Sequence, residues 1–102
     1  MRYLVEVSIP HEPFNTYCRQ GDAGQRIGRV LEATAPESVY FTERDGKRGA
    51  VLVYNLDSPS QVPAIAEPWF LTFNADCRIQ VAMTPDDLKR AKLDEVGKKW
   101  GV

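Results

Sequence analysis

The 102-residue chain is long enough for one domain with one modest core and too short for two. A formal net charge of −1 gives no broad attraction to nucleic acid or to an anionic membrane. No apolar run reaches the roughly 20 residues of a membrane-spanning helix, and no signal-peptide core is present. We therefore expect one cytoplasmic domain, residues 1–102, that binds neither nucleic acid nor membrane.

The chain begins with a predicted strand and a predicted helix. Residues 2–9 alternate between apolar and polar side chains, which is the pattern of a half-buried strand that ends at Pro10. Apolar residues then recur at helical spacing from about Pro13 to Ala33. Because glycine is a poor helix former, Gly21 and Gly24 predict a bend or break in this helix.

A hairpin is predicted next. A second strand begins at Val39, and Asp45-Gly46 tolerates the positive φ angles of a tight reversal. The third strand, from Gly49 to Leu56, is apolar on almost every side, so both of its faces need cover. A single small domain covers only one face with helices. We therefore expect a partner subunit or a ligand on the other face.

The remaining elements follow in the order helix, strand, helix. Residues 58–61 have the residue types of a capping box at the start of a helix, while Pro63 and Pro68 predict that this helix is kinked or short. Residues 77–83 alternate as a strand. A last helix is predicted from about Pro85 to Lys99, with acids at its start and lysines at its end, as the helix dipole prefers.

This order predicts an α+β fold: a ferredoxin-like β-α-β-β-α-β sandwich with an extra C-terminal helix, in which the first strand lies between the third and fourth. One sheet face is predicted to pack against the helices, and the other is mixed in polarity. The helix-facing set is Tyr3, Val5, Val7, Ile9, Val39, Phe41, Ala50, Leu52, Tyr54, Leu56, Cys77, Ile79, Val81 and Met83.

The chain resembles the dimeric α+β barrel superfamily, and within it a family of small uncharacterised bacterial proteins. The segments that carry the resemblance are Met1–Val5, Gly49–Val53, Asp57–Pro59 and Ile79–Pro85. Residues 55–60 also resemble muconolactone isomerases, from which no catalytic residue is transferred. The resemblance implies that two protomers pack together through their open sheet faces, which are the faces that the helices leave uncovered. The partner is then a second copy, in a homodimer or a higher oligomer of dimers.

Glu6 and Arg78 are the first candidates for chemistry. They fall on neighbouring strands and on the open face, where opposite charges stabilise strand pairing. A carboxylate on a face that a partner covers can move a proton on a bound substrate. Glu6 is therefore the candidate proton carrier and Arg78 a candidate substrate-binding residue, with a structural ion pair as the alternative.

Four further residues are candidates for substrate binding. Tyr40, Asn55 and Gln80 share the open face, where their polar groups can bond a ligand or fill an interface. His11 is the sole histidine, at the rim of the expected sheet, and is otherwise a solvent-facing loop residue.

Other polar and aromatic groups are interpreted structurally. Trp69, Phe70 and Phe73 are expected in the core or an interface, and Trp100 is expected to anchor the last helix on a neighbouring subunit. The basic residues of the hairpin are expected in a solvated turn. The residues concerned are Arg44, Lys47 and Arg48.

The sequence contains no phosphate-binding loop, nucleophile elbow or metal-binding spacing, so we expect no cofactor and no metal. Cys18 and Cys77 are expected as reduced, buried thiols. Three functions remain open: a protein that binds a small organic molecule between the sheet and its cover, a cofactor-independent isomerase or monooxygenase that uses Glu6, and an interaction module without catalysis.

Overall fold

Four strands form a single antiparallel sheet with the order β2-β3-β1-β4 in the computed structural model, which describes residues 1–101. The strands are β1 (Arg2–Ile9), β2 (Ser38–Arg44), β3 (Lys47–Asn55) and β4 (Asp76–Ala82). The first strand pairs with the third and the fourth, as predicted. The fold is a ferredoxin-like α+β sandwich, which confirms the sequence prediction.

The first helical segment is divided at a glycine, as the sequence predicted. Helix α1 (His11–Gln20) ends at Gly21, whose φ of +81° is the left-handed conformation that glycine adopts without strain, and α2 (Ala23–Thr34) follows. Glu12 has extended angles, so the regular part of α1 begins at Pro13. No helix within residues 1–101 is both long and apolar enough to cross a membrane.

The two predicted local signals after the second strand are confirmed. Asp45 and Gly46 have φ angles of +53° and +77° and join Arg44 to its partner Lys47. The Ser58 hydroxyl accepts a hydrogen bond from the Ser60 amide at 3.3 Å. In return, a side-chain oxygen of Gln61 accepts one from the Ser58 amide at 3.2 Å.

The helix after this cap is longer than the sequence predicted. A 3₁₀ turn (Pro59–Gln61) leads into α3 (Val62–Phe73), which continues through Pro68. Proline removes one backbone donor from a helix interior. This loss is offset by the burial of Ile65, Trp69 and Phe73 on the same helix.

The core lies between the helices and one face of the sheet. Trp69 and Phe73 are fully buried with ring centroids 5.7 Å apart, and Phe14 lies 5.5 Å from Phe73. All eight helix-facing residues predicted on the two central strands are buried. They are Tyr3, Val5, Val7, Ile9, Ala50, Leu52, Tyr54 and Leu56.

The expectation of burial was wrong at the sheet edges and at one cysteine. Phe41, Val81 and Met83 are 52%, 60% and 65% exposed, because they lie on or beside the edge strands, beyond the cover of the helices. Cys18 is exposed on α1. Cys77 is half-buried, and burial raises the pKa of its thiol to about 11.

The predicted last helix is two short helices, α4 (Pro85–Arg90) and α5 (Leu93–Trp100), separated where Lys92 adopts a φ of +54°. We call residues 84–101 the C-terminal arm. Its side chains from residue 88 onward are all exposed. The radius of gyration is 17.3 Å, against about 13 Å for a compact domain of this length. The extents of 61 × 29 × 19 Å show an elongated molecule.

The buried aromatic cluster makes a stability prediction. Phe73→Ala removes a fully buried ring that packs against three other rings, so we expect the free energy of unfolding to fall by about 3–5 kcal/mol. Leu71→Ala on the same helix is the control, since Leu71 is 81% exposed and its change should stay within about 0.5 kcal/mol. Urea unfolding measures both, and equal effects would contradict this description of the core.

Candidate functional site

The candidate site is the face of the sheet opposite the helices, which we call the open face. The strand register places Tyr40 beside Val51, Val51 beside Glu6, and Glu6 beside Arg78. Neighbouring strands lie about 4.8 Å apart, so this row spans roughly 14 Å, the length of a small organic molecule. Three of the predicted site residues therefore lie in one line across the sheet.

Glu6 forms an ion pair with Arg44, and this partner differs from the one that the sequence indicated. The Arg44 Nη2 lies 3.4 Å from the Glu6 Oε2, and the two side chains are 28% and 27% exposed. Arg78 stands directly opposite Glu6 in the register but forms no ion pair within residues 1–101. The expectation that Arg44 belongs to a solvated turn was wrong, because its side chain lies back along the sheet.

Gly49 provides the space for this arrangement. A methyl group at Gly49 would lie 2.7 Å from Arg44 Cγ, 2.9 Å from its Cδ and 3.1 Å from the carbonyl oxygen of Val7. Real side chains do not approach so closely, so the arginine stem occupies the volume that any larger residue would fill. A glycine within a strand often marks such a close approach, so Gly49 is the feature of the sequence that could have indicated it.

The row has an ionic centre and two exposed polar ends. Tyr40 is 73% exposed on the edge strand, and Arg78 is exposed on the opposite edge strand. Val51 within the row, and Leu4 and Val53 in the next row along the strands, are apolar and half-buried. Because Glu6 is already paired with Arg44, Arg78 is the cation of this row that a ligand can neutralise.

The structure separates the other predicted residues from the row. Gln80 lies one row away, opposite Leu4. Asn55 lies two rows away, about 13 Å along the strand, and its side-chain oxygen accepts a hydrogen bond from the N-terminal amine at 3.0 Å. His11 lines a depression of about 390 Å³ beside the β2–β3 turn.

A second ion pair lies at the far end of the open face. Arg2 Nε contacts the Glu37 carboxylate at 3.0 Å, and this hydrogen bond holds the pKa of Glu37 below its ordinary value. Arg2 and Glu37 therefore neutralise each other. In the part of the chain that the structure describes, no group of three or more His, Cys, Asp or Glu residues is placed to hold a metal ion.

Comparisons with known proteins identify the fold. No protein-family model matches the chain, and no curated protein matches it. Among solved structures it is similar to the 5-chloro-2-hydroxyhydroquinone dehydrochlorinase TftG of Burkholderia phenoliruptrix AC1100, in complex with 2,5-dihydroxybenzoquinone. The TM-score is 0.57 at 13% identity, over 84% of this chain and 97% of TftG.

Two further solved structures are similar to the chain at lower TM-scores. Protein Atu4242 from Agrobacterium tumefaciens matches with a TM-score of 0.40 and 13% identity, over 83% of this chain and 96% of that one. MupZ from Pseudomonas fluorescens matches with a TM-score of 0.40 and 12% identity, over 96% and 83% of the two chains. The likeness to TftG concerns the fold alone.

The contact between Gly49 and Arg44 makes a second prediction. Gly49→Ala forces the arginine stem to move, so we expect the free energy of unfolding to fall by about 1–3 kcal/mol. In an Arg44→Ala background the same substitution should cost less, with a coupling free energy of at least about 0.5 kcal/mol. A double-mutant cycle measured by urea unfolding tests this, and additive effects would show that the two residues are independent.

Proposed function

We propose that this chain is a homodimeric α+β barrel protein that binds a small organic anion between the open face and a second copy. The row of Tyr40, Glu6 and Arg78 across the open face carries this proposal. The row supplies an aromatic ring, a carboxylate and a cation over a partly apolar floor. Ligand sites in proteins commonly combine such apolar walls with a few convergent polar groups.

The apolar side chains of the open face support the second copy. The chain exposes 7144 Å², whereas a compact monomer of 11.5 kDa exposes about 5,800 Å². The excess of roughly 1,300 Å² is shared between the exposed C-terminal arm and the rest of an elongated molecule, and a partner in a standard interface would cover about 800 Å² of each copy. The half-buried Val51 and Val53 on the open face are the side chains that such a partner would cover.

The charge of the row supports an anionic ligand. A homodimer that closes over this face would bring Arg78 into the interface twice, once from each copy, without an ion pair within residues 1–101 to neutralise it. Burying an unpaired cation is costly. A carboxylate or phenolate beside each Arg78 removes that cost, and Tyr40 offers a ring against which a planar molecule can stack.

A catalytic role for Glu6 is the second candidate. One carboxylate oxygen of Glu6 contacts Arg44, which holds the group toward the centre of the row. A carboxylate so placed can remove a proton from a bound molecule and return it elsewhere, as an isomerase requires. It can also remove a proton so that the resulting anion reacts with molecular oxygen, as a cofactor-independent monooxygenase requires. The Glu6→Gln variant distinguishes this catalytic role from ligand binding, because it keeps the shape of the side chain and removes its basicity.

The molar mass in solution tests whether a second copy covers the open face. We expect light scattering to give at least twice 11.5 kDa across a range of concentrations. Val51→Asp places a carboxylate in the proposed interface, so it should produce a monomer, because an unpaired buried charge costs several kcal/mol. Gln25→Asp on the exposed surface of α2 adds the same charge and should leave the mass unchanged. A wild-type monomer at every concentration would rule out the barrel.

Binding of a planar anion tests the row. We suggest 2,5-dihydroxybenzoquinone as the probe, since a protein of the same fold binds it. Arg78→Met should weaken binding about 10–100-fold, because a charge-assisted hydrogen bond contributes about 1.5–3 kcal/mol. Arg29→Met, on the exposed surface of α2, is the matched control.

The same titrations distinguish the candidate functions. If the wild type converts the probe and Glu6→Gln binds it without converting it, Glu6 carries the proton. Binding without conversion in both proteins supports a binding function alone. A stable dimer that binds neither this probe nor other small aromatic or enolisable carboxylates would contradict the ligand proposal and leave an interaction module.

A further inference from the structure

The two exposed ends of the row lie too far apart to hold one small ligand within a single copy. Tyr40 and Arg78 stand on opposite edge strands, roughly 14 Å from each other across the sheet. The ion pair of Glu6 and Arg44 lies between them. A ligand with a single aromatic ring is shorter than this distance, so it contacts either the phenol ring or the guanidinium of one copy. A site that uses both groups therefore needs a second copy.

The symmetry of a homodimer brings the two groups together. Two copies that pack through the same face are related by a two-fold axis. An axis parallel to the strands, between β3 and β1, lays each row over the same row of the second copy with its two ends exchanged. Tyr40 then lies opposite Arg78 of the second copy. Packed sheets are about 10 Å apart, so these two long side chains reach into the same space.

We propose that Tyr40 of one copy and Arg78 of the second copy form one shared ligand site around this axis. The inference rests on the homodimer and the anionic ligand proposed above. The dimer then contains two equivalent sites, one at each edge of the interface. In each site the guanidinium pairs with the anionic group of a planar ligand, and the phenol ring of the other copy stacks against the plane of that ligand.

The rows on either side of Tyr40 and Arg78 fit the same axis. On one side, Leu4 and Val53 are neighbours in the register, and both are half-buried. The axis lays Leu4 over Val53 of the second copy, so apolar groups meet. On the other side, Thr42 and Asp76 are the two exposed ends of one row. The axis places the Thr42 hydroxyl, which can donate, opposite an Asp76 carboxylate, which accepts.

An axis perpendicular to the strands fits these side chains less well. Such an axis lays each strand over itself and reverses the order of the rows. Where it crosses the row of Glu6 and Arg78, each charge meets its own copy, and like charges across an interface are unfavourable. Moved by half a row spacing toward Asp76, it pairs Arg78 with Asp76 but lays Val53 over Lys47. In every such arrangement β2 lies over β2 and β4 over β4, so the shared site is absent.

Mixed dimers test whether the site is shared. Arg78→Met and Tyr40→Ala chains with different affinity tags are unfolded and refolded together, and the mixed dimer is purified through both tags. With shared sites, one of its sites carries both changes and the other has both wild-type side chains. We expect it to bind one 2,5-dihydroxybenzoquinone with wild-type affinity. Alone, Arg78→Met should bind about 10–100-fold and Tyr40→Ala about tenfold more weakly than the wild type.

The reciprocal mixture is the matched control. A chain that carries both Arg78→Met and Tyr40→Ala is combined with a wild-type chain. Shared sites are then changed once each, so both sites of this dimer should bind weakly, whereas sites within one copy would leave one intact. Wild-type affinity in this dimer, together with two weak sites in the first mixture, would overturn the proposal. Light scattering confirms that each sample is dimeric.

Cross-linking tests the same geometry without a ligand. In a Cys18→Ser background the remaining thiol, Cys77, is half-buried with a pKa raised to about 11, so it reacts slowly. The thiols of Tyr40→Cys and Arg78→Cys chains should face each other about 10 Å apart, whereas two Tyr40→Cys positions lie roughly 17 Å apart. A short bis-maleimide should therefore link the mixed dimer at least about tenfold faster than it links either variant alone.

The two experiments distinguish this inference from the proposed function. A dimer that binds the quinone but links at equal rates in mixed and unmixed samples would overturn the shared site and leave the ligand proposal standing. Rapid linkage of the mixed sample in a dimer that binds no small anion would contradict the ligand proposal, and the axis parallel to the strands would stand.

Discussion

The structure depends on the alternation of side chains along two central strands whose helices lie on one side only. Val5 and Val7 of β1 are fully buried against the helices, while Leu4 and Glu6, which alternate with them along the strand, face the other way. A one-residue shift in register would exchange the two sets, so the pairing that builds the core also decides which groups appear on the open face. The same strand pairing therefore determines both the residues of the core and the residues of the candidate site.

The open face is organised by a residue without a side chain. Gly49 weakens β3 as a strand, since glycine loses more conformational freedom than any other residue on folding. Because Gly49 has no side chain, Arg44 lies flat over this residue and reaches Glu6 from an edge strand. A half-exposed ion pair contributes at most about 1 kcal/mol. The greater effect of the Glu6–Arg44 pair is that it fixes the Glu6 carboxylate and leaves Arg78 without an ion-pair partner in residues 1–101.

Sequence patterns predicted the features that depend on near neighbours. The strand at residues 2–9, the Asp45-Gly46 turn and the break at Gly21 each have a local physical cause, and all are confirmed. The partner of Glu6 depends on how far the Arg44 side chain can reach across two strands, which no periodicity records. The exposure of Phe41 depends on where the helical layer ends. Both properties depend on how the helices and strands pack together, so no local pattern in the sequence indicates them.

Covering the open face would couple ligand binding to assembly. A ligand between two sheets contacts both copies, so it binds the dimer and not the monomer, and it stabilises the dimer by mass action. Two Arg78 side chains without ion-pair partners oppose closure in its absence, since each loses water without gaining a carboxylate. An anion that pairs with Arg78 therefore acts on the interface and on the site together. By this argument the arginine without an ion-pair partner would make the proposed dimer more stable with its ligand than without it, whereas a face with every charge paired would gain less from a ligand.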